Sequence, residues 1–188
     1  MNESFSFDLQ LFAAANKVPE LISDMRVYQE GRDIFVGVTN VELPEIATQT
    51  TSITGIGMAG EIDAPVQGHF GSLELTLNWR TPTLTSSWHT GGSGVALEIM
   101  GDIQVFDHNT NNYANVSIRI VVRGRDKSYS LGSFEAGNTS DSSNTIEVHY
   151  LKIELDGTTV VEIDKFGYKC VINGVDLMAT TRRNIGMN

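Results

Sequence analysis

The sharpest chemical motif in the sequence is Gly55-Ile-Gly-Met-Ala-Gly60, which matches the G-x-G-x-x-G pattern of dinucleotide-binding loops. That pattern binds a pyrophosphate where a buried strand precedes it and the N-terminus of a helix follows it. Here a threonine-rich run precedes the motif, and Pro65 within a strand-like pattern follows it. We therefore interpret these glycines as part of a flexible loop and predict no cofactor site.

The remaining reactive side chains form no catalytic or metal-binding pattern. Carboxylates are paired at i, i+2 in Glu61/Asp63 and Glu162/Asp164, a spacing that is typical of a solvated acidic row on one strand face. Cys170 is the single cysteine, which excludes an intrachain disulfide, and its flanks predict a packed core thiol. We predict no catalytic residue, no metal site and no enzymatic activity. The histidines are scattered without metal-ligand spacing: His69, His89, His108 and His149.

The net charge of the chain argues against tight binding to nucleic acid. Its 188 residues carry 13 basic and 23 acidic side chains, a net charge of −10. Binding to a phosphate backbone needs clustered Lys and Arg, and the sequence holds a single basic cluster, made of Arg119, Arg123, Arg125 and Lys127. Two interpretations stay open for this cluster: contact with an acidic neighbour, or a solvated strand edge that discourages unwanted pairing.

The elements that position these residues are mostly strands. Leu73, Leu75, Leu77 and Trp79 alternate with polar residues, which is the pattern of a half-buried strand. The apolar phase shifts after Tyr150, which indicates a bulge or a strand covered on both faces. Further strands are predicted over 95–106, 116–123, 146–155, 159–163 and 166–172, with a tight Asp-Gly hairpin turn at 156–157.

Three local predictions concern connections between elements. A four-residue connection predicts a hairpin between 25–28 and 33–38. A short helix is predicted over 84–90, after a Thr-Pro start signal. A second short helix is predicted near the end of the chain, capped by Asp176 and reaching Arg183.

The segment 47–69 is predicted to be a long hairpin-like arm that leaves the domain. Its many glycines make it costly to order on its own. A long, partly apolar loop of this kind in a compact domain is usually functional or disordered, and we expect a neighbouring subunit to hold it. The predicted subunit–subunit interface consists of Ile53, Ile56, Met58, Glu61, Ile62, Asp63 and Val66.

Several segments carry a family resemblance, in the same order along the chain: Lys17–Tyr28, Val41–Pro44, Gly57–Asp63, Gly68–Gly71, Leu75–Arg80, Leu131–Gly137, Val161–Phe166 and Val171–Leu177. Together they resemble the major tail tube protein of contractile-tailed phages. The same broad fold family includes the tubes of type VI secretion and of phage-tail-like bacteriocins. The resemblance covers nearly the whole chain from Lys17 onward.

The resemblance implies a mainly β fold. The expected subunit is β-sandwich or barrel-like, with one short helix and a long protruding arm, and its inner strands join a ring-wide β-barrel. The chain then divides into an N-terminal extension, 1–16, and a single tail-tube domain, 17–188, from which the arm, 47–69, protrudes.

The resemblance also implies a structural function. Six subunits form a ring, and stacked rings form a hollow tube inside a contractile sheath that conducts DNA or effectors into the target cell. The implied partners are further copies of the chain, the sheath protein, the tape-measure protein, and the baseplate and tail-terminator proteins. DNA passes through the lumen without specific binding, and assembly takes place in the cytoplasm of the host bacterium. No apolar run approaches the roughly 20 residues that span a bilayer, so no membrane anchoring is expected.

The alternative function is a soluble β-sandwich binding module, for example for sugars. Such a module needs an exposed aromatic side chain on a sheet face or loop. Trp88 is the free candidate, because Trp79 is in phase with leucines. Tube or ring formation by the purified protein would favour the first function, and dispersed monomers would favour the second.

The lumen of an implied tube is predicted to be net negative or neutral, because the chain has more acid than base. The lining row is either Glu74/Thr76/Asn78 or Glu147/His149, and the sequence leaves both open. Unpaired cations would retain DNA through its phosphates. For that reason, Arg119 and Arg123 are expected on the outer wall, at a subunit contact, or neutralised by Asp or Glu.

Overall fold

The computed structural model describes residues 17–29, 37–83 and 94–187. Within these ranges the chain is mainly β with one short helix, so the predicted fold class of a mainly β, sandwich-like subunit is confirmed. The extension 1–16, the predicted helix over 84–90 and Trp88 lie outside the described residues.

Eleven strands and one helix are formed by the described residues. The strands of the first half are β1 (Lys17–Gln29), β2 (Val38–Glu42), β3 (Thr48–Ile53), β4 (Ile62–Phe70), β5 (Glu74–Trp79) and β6 (Gly94–Asp107). Those of the second half are β7 (Asn112–Ser130), β8 (Ser142–Leu155), β9 (Thr158–Asp164), β10 (Lys169–Ile172) and β11 (Val175–Asp176), followed by α1 (Ala179–Asn184).

Nine of these strands form one antiparallel sheet in the order β1-β6-β7-β8-β9-β10-β11, with β5 and β2 on a side branch. The sheet forks at β8. One edge of β8 pairs with β7, while the other edge pairs with β5 near its start and with β9 near its end. Within the described strands, β3 and β4 pair with each other alone and form a separate ribbon.

The core is built around β5. Leu73, Leu75 and Leu77 are fully buried and Trp79 is 1% exposed, so the predicted phase of this strand is confirmed. The indole Nε1 of Trp79 donates a 2.9 Å hydrogen bond to Oδ1 of Asn144, which gives two buried polar atoms a partner. The rest of the cluster is Val27, Val95, Leu97, Ile99, Ile120, Val122, Ile146, Val148, Leu151, Ile163, Cys170 and Met178.

The phase shift predicted in β8 is confirmed, and a bulge causes it. Arg123 of β7 pairs with Tyr150, whereas the next residue, Gly124, pairs with Val148. His149 therefore has no partner on β7. A bulge of this kind re-aims the side chain at the extra position.

The predicted Asp-Gly hairpin is also confirmed, between β8 and β9. Asp156 and Gly157 have positive φ angles of 47° and 75°. These are the angles of a two-residue turn whose twist matches the strands on either side.

Most of the second strand of the hairpin predicted between 25–28 and 33–38 lies outside the described residues, so this hairpin stays a prediction. β1 pairs with β6, which places Tyr28 opposite Glu98, and β2 pairs with β5, which places Val41 opposite Leu77.

The solvated-edge interpretation of the basic cluster is wrong for Arg119, Arg123 and Arg125, because β7 pairs there with β6 on one side and with β8 on the other. Lys127 follows the last residue of β7 that pairs with β6, Arg125. The sequence shows which side chains are basic. The number of strands that pair with β7, however, depends on contacts between distant segments.

The second predicted helix exists, and it begins at Ala179. Oδ1 of Asp176 accepts a 3.0 Å hydrogen bond from the backbone N–H of Met178, just before the helix. Nη2 of Arg182 lies 2.6 Å from Oδ2 of the same carboxylate. Asp176 thus secures the start of the helix from a position slightly outside it.

Candidate assembly surface

The arm predicted over 47–69 is the ribbon formed by β3 and β4 with the loop that joins them. Thr48 pairs with Phe70 at its base, and Ile53 pairs with Ile62 near its far end. Threonine and β-branched residues suit such an extended ladder. The ribbon extends from Thr48 to Phe70, and its role as an arm that contacts a neighbouring subunit stays a prediction.

The Gly-rich motif lies at the tip of this arm. The backbone N–H of Met58 donates a 3.2 Å hydrogen bond to the carbonyl of Gly55, and Gly57 has a φ of 95°, which glycine adopts without strain. The motif therefore joins two antiparallel strands, β3 and β4, and the element that follows it is a strand and not a helix. The motif is thus a loop, as the sequence interpretation predicted.

The structure brings the seven predicted interface residues together on one ribbon. Ile56 at the tip is fully exposed, and Ile62 is 56% exposed. A two-stranded ribbon is marginally stable in water by itself, and clustered exposed apolar side chains mark interaction surfaces. Ile53, Ile56, Met58, Glu61, Ile62 and Asp63 are exposed, and Val66 is half-buried.

The base of the arm is fixed to the body. Phe70 packs against the core cluster. The backbone N–H of Gly71 donates a 3.0 Å hydrogen bond to the carbonyl of Ala47, and Nζ of Lys165 donates a 2.9 Å hydrogen bond to the carbonyl of Gly71. The arm consequently leaves the body at a defined place while its tip extends into solvent.

Residues 19–186 match the family model described as Phage tail tube protein FII. The chain belongs to this family. It is 28% identical over 176 residues to the tail tube protein of Escherichia phage P2, across 90% of this chain and 99% of that protein. The chain is thus a structural tail tube protein of a contractile-tail system, as the sequence resemblance predicted.

Two solved chains from cryo-EM structures of an extracellular contractile injection system, PVC, are also similar. The match to a chain of the sheath/tube terminator has a TM-score of 0.48 and 13% identity, and covers 72% of this chain and 96% of that one. The match to a chain of the sheath-tube complex has a TM-score of 0.49 and 15% identity, and covers 79% and 99% respectively.

The arm of this tail tube protein is acidic. The sequence has no Lys or Arg from Gly37 to Trp79. At the arm's far end, the hydroxyl of Ser52 donates a hydrogen bond to Glu61. The carboxylate of Asp63 makes no ion pair with any cation in the part of the chain that the structure describes. A partner for this surface would be apolar and basic.

A balanced charge group lies beside the arm's base. Glu74 and Glu147 are cross-strand partners, a like-charge pairing that is unfavourable unless it is neutralised. The hydroxyl of Ser72 lies within hydrogen-bond distance of both carboxylates and has one hydrogen to donate between them. Nζ of Lys127 lies 2.5 Å from Glu74, and Nζ of Lys165 lies 3.2 Å from Glu147. Neither carboxylate is therefore left without a cation.

Both carboxylates of this group are held in the charged form. The hydrogen bond from Lys127 lowers the pKa of Glu74 below its ordinary value. Burial raises the pKa of Glu147, but the hydrogen bonds from Ser72 and Lys165 outweigh burial, and the net pKa is lowered.

Further ion pairs lie on the face of the sheet that points away from the buried core. Arg119 lies between two acids, with Nη1 3.0 Å from Glu154 and Nε in contact with Glu98. These hydrogen bonds raise the pKa of Arg119. Lys152 lies 2.5 Å from the other oxygen of Glu154. Arg119 is thus neutralised inside its own chain, one of the three environments expected for it.

Sequence reasoning missed several exposed apolar side chains on the body. Leu131 is 65%, Phe134 96% and Phe166 66% exposed. These residues follow strands or lie in turns, where no alternation marks a buried or an exposed phase. The signal that could have found them is their position inside segments that carry the family resemblance.

The other sequence predictions about reactive groups concern the body. Cys170 is buried, as predicted, and burial raises the pKa of its thiol. Among residues 17–29, 37–83 and 94–187, no three His, Cys, Asp or Glu side chains are arranged to hold a metal ion. In the same ranges, no helix has the length and apolar character needed to cross a bilayer.

Proposed function

We propose that the chain is the repeating subunit of a hollow tail tube in which six copies form each ring and the rings stack. The channel conducts DNA or effectors into the target cell, and the tube lies inside a contractile sheath. The observation that carries this proposal is the arm. It is a ribbon fixed at its base, and its apolar far end is exposed on the isolated subunit.

The free edge of β1 supports ring closure by strand pairing. β1 pairs with β6 on one side, and no described strand pairs with its other side. An open edge of 13 residues is a template for pairing with another chain, and a closed barrel removes such edges. This strand exposes three apolar side chains that a neighbouring subunit would bury in a ring: Val18, Leu21 and Ile22.

The proposal extends to the partners of the tube. The sheath surrounds it, the tape-measure protein occupies its channel, and baseplate and tail-terminator proteins close its two ends. Subunits assemble in the cytoplasm of the host bacterium without a membrane anchor. Weak contact with passing DNA is supported by the neutralised cations Arg119 and Lys127, because paired cations attract phosphates less strongly.

Deletion of residues 51–64 tests the proposal. The deletion removes the far end of the arm and leaves its fixed base, so the body should keep its circular dichroism spectrum. An obligate interface typically buries about 2,000 Å² or more, and losing a central part of it should abolish tubes in negative-stain micrographs. Tubes that still form from the deleted protein would contradict this role of the arm.

A matched pair of substitutions refines this test. Ile56→Ser removes the most exposed apolar side chain of the tip without changing the arm's length. Thr51→Ser, on the same ribbon, removes one methyl group and serves as the control. Tubes should be scarce with the first variant and normal with the second.

A further inference from the structure

A groove on the body lies directly beside the place where the arm begins. Its volume is about 190 Å³, and its lining residues are Arg125, Glu147, Val148, His149, Lys165 and Phe166. His149 reaches it from the bulge in β8, and the backbone N–H of Lys165 donates a 2.9 Å hydrogen bond to the carbonyl of His149. The walls therefore come from β7, β8 and the turn after β9.

Phe166 is a preorganised apolar contact at the mouth of this groove. The backbone N–H groups of Phe166 and Gly167 donate hydrogen bonds of 2.9 and 2.8 Å to Oδ1 of Asp164, which fixes the turn. The ring of Phe166 lies 5.1 Å from that of His149, although its side chain is mostly exposed. A rigid exposed ring loses little conformational entropy when a partner covers it.

The groove is also electrically positive. Arg125 is exposed and makes no ion pair with a described carboxylate, because Glu147 opposite it is already bound by Ser72 and Lys165. The charged residues that line the groove are Arg125, Lys165 and Glu147, and the last two are paired with each other at 3.2 Å, so the lining has a net charge of +1. An anionic partner would restore the balance.

We propose that this groove receives the arm of a second copy of the chain, with Glu61 and Asp63 paired to Arg125 and the apolar tip packed on Phe166. The inference rests on the proposed tube function and names the surface on which the arm docks. The arm supplies the carboxylate of Asp63, which forms no ion pair with a described cation, and the groove supplies Arg125, which forms no ion pair with a described carboxylate. Apolar side chains adjoin both charged groups.

The position of the groove allows the contact to repeat from copy to copy. Lys165 lines the groove and also binds Gly71 at the base of the arm, so base and groove adjoin on one subunit. The nine residues of β4 span about 30 Å, which is comparable to the diameter of a chain of this size, roughly 40 Å. In the proposed contact the arm therefore crosses most of the width of one copy, and head-to-tail contacts of this kind generate rings or helical stacks.

A charge exchange tests the pairing in the full chain. Arg125→Glu and Asp63→Arg, each alone, should lower the sedimented tube fraction at least about tenfold, because like charges then meet. The double variant restores opposite charges and should recover most of the tubes. Arg183→Glu changes the charge equally on an exposed helix residue outside the groove and should leave tubes unchanged. Circular dichroism checks folding, and Arg125→Gln replaces Arg125→Glu if the latter does not fold.

The outcomes separate this inference from the proposed function. If Arg125→Glu assembles normally while deletion of 51–64 abolishes tubes, the arm docks elsewhere and the inference is wrong, but the arm's role stands. If both single variants fail and the double variant is not rescued, direct pairing of Asp63 with Arg125 is wrong. If the deleted protein itself forms tubes, the assembly role of the arm fails.

Discussion

Gly68 of the arm's base lies against Met178 at the start of the C-terminal helix. A Cβ atom on Gly68 would lie 1.8 Å from Sδ of Met178, whose side chain is 1% exposed, and Gly68 has a φ of 74°. No side chain fits there, so the absence of a Cβ lets the arm pass close to the body. The contact joins the arm to the segment that ends the chain.

Gly68→Ala should therefore destabilise the subunit by roughly 1–3 kcal/mol, through overpacking against a buried side chain. Urea denaturation measures this change. Gly60→Ala on the arm's tip is the control, because a Cβ there meets nothing within 4 Å. Combining Gly68→Ala with Met178→Ala should cost less than the sum of the two single changes. Additive costs would show that the two residues do not press on each other.

Trp79→Ala should lower the free energy of unfolding by about 3–5 kcal/mol, as for other large core truncations. The side chain is almost fully buried and donates its Nε1 hydrogen to Asn144. Leu131→Ala removes an exposed side chain and should change stability by less than about 0.5 kcal/mol. Equal denaturation midpoints for the two variants would mean that the phase of β5 is wrong.

The stability of the subunit should fall as the pH drops below about 6.5, through His149. Burial, together with the cations Arg125, Arg123 and Lys165, lowers the pKa of His149 below its ordinary value of 6.5, although Asp164 acts in the opposite direction. The unfolded chain then binds the proton more readily than the folded one. The stability that neutral His149 contributes is fully present above the pKa that His149 has in the unfolded chain. It is lost as the pH falls through the lower pKa that His149 has in the folded chain.

His149→Gln should remove this dependence and flatten stability between pH 7.5 and pH 5.5. Urea denaturation of the wild type and the variant at a series of pH values measures both slopes. Identical slopes would show that His149 does not titrate differently in the folded and unfolded chains.

The bore of the tube should be net negative or neutral. Arg119 is already neutralised by Glu98 and Glu154 in the isolated subunit, and Glu74 and Glu147 each have a lysine partner. A tube structure shows which polar row lines the channel. Arg119 and Arg123 lining the bore with no carboxylate within ion-pair distance would refute this prediction.

Local patterns in the sequence predicted the parts of the fold that depend on local physics. The alternation from Leu73 to Trp79 fixes which side of β5 is buried, and Asp156-Gly157 favours a tight turn. The arm was predictable because glycine and threonine dominate a segment without a buried face of its own. The shift of phase near Tyr150 marked the bulge that carries His149.

Pairing between distant segments was not predictable in the same way. The described partner of β1 is β6, more than 60 positions further along the chain, and no local pattern in the sequence indicates this pairing. The groove combines Arg125, His149 and Phe166 from three separate elements. The sequence singles out residues of the arm, whose role in an interface stays a prediction, whereas it gives no sign of the surface proposed to receive them.

Cryo-electron microscopy of tubes assembled from the purified full chain tests the central claim most directly. We predict hollow tubes of stacked six-membered rings. In these tubes a neighbouring copy covers the arm of every copy, and Asp63 lies within ion-pair distance of Arg125 of that neighbour. Dispersed monomers at every concentration, or tubes whose arms extend free into solvent, would contradict it.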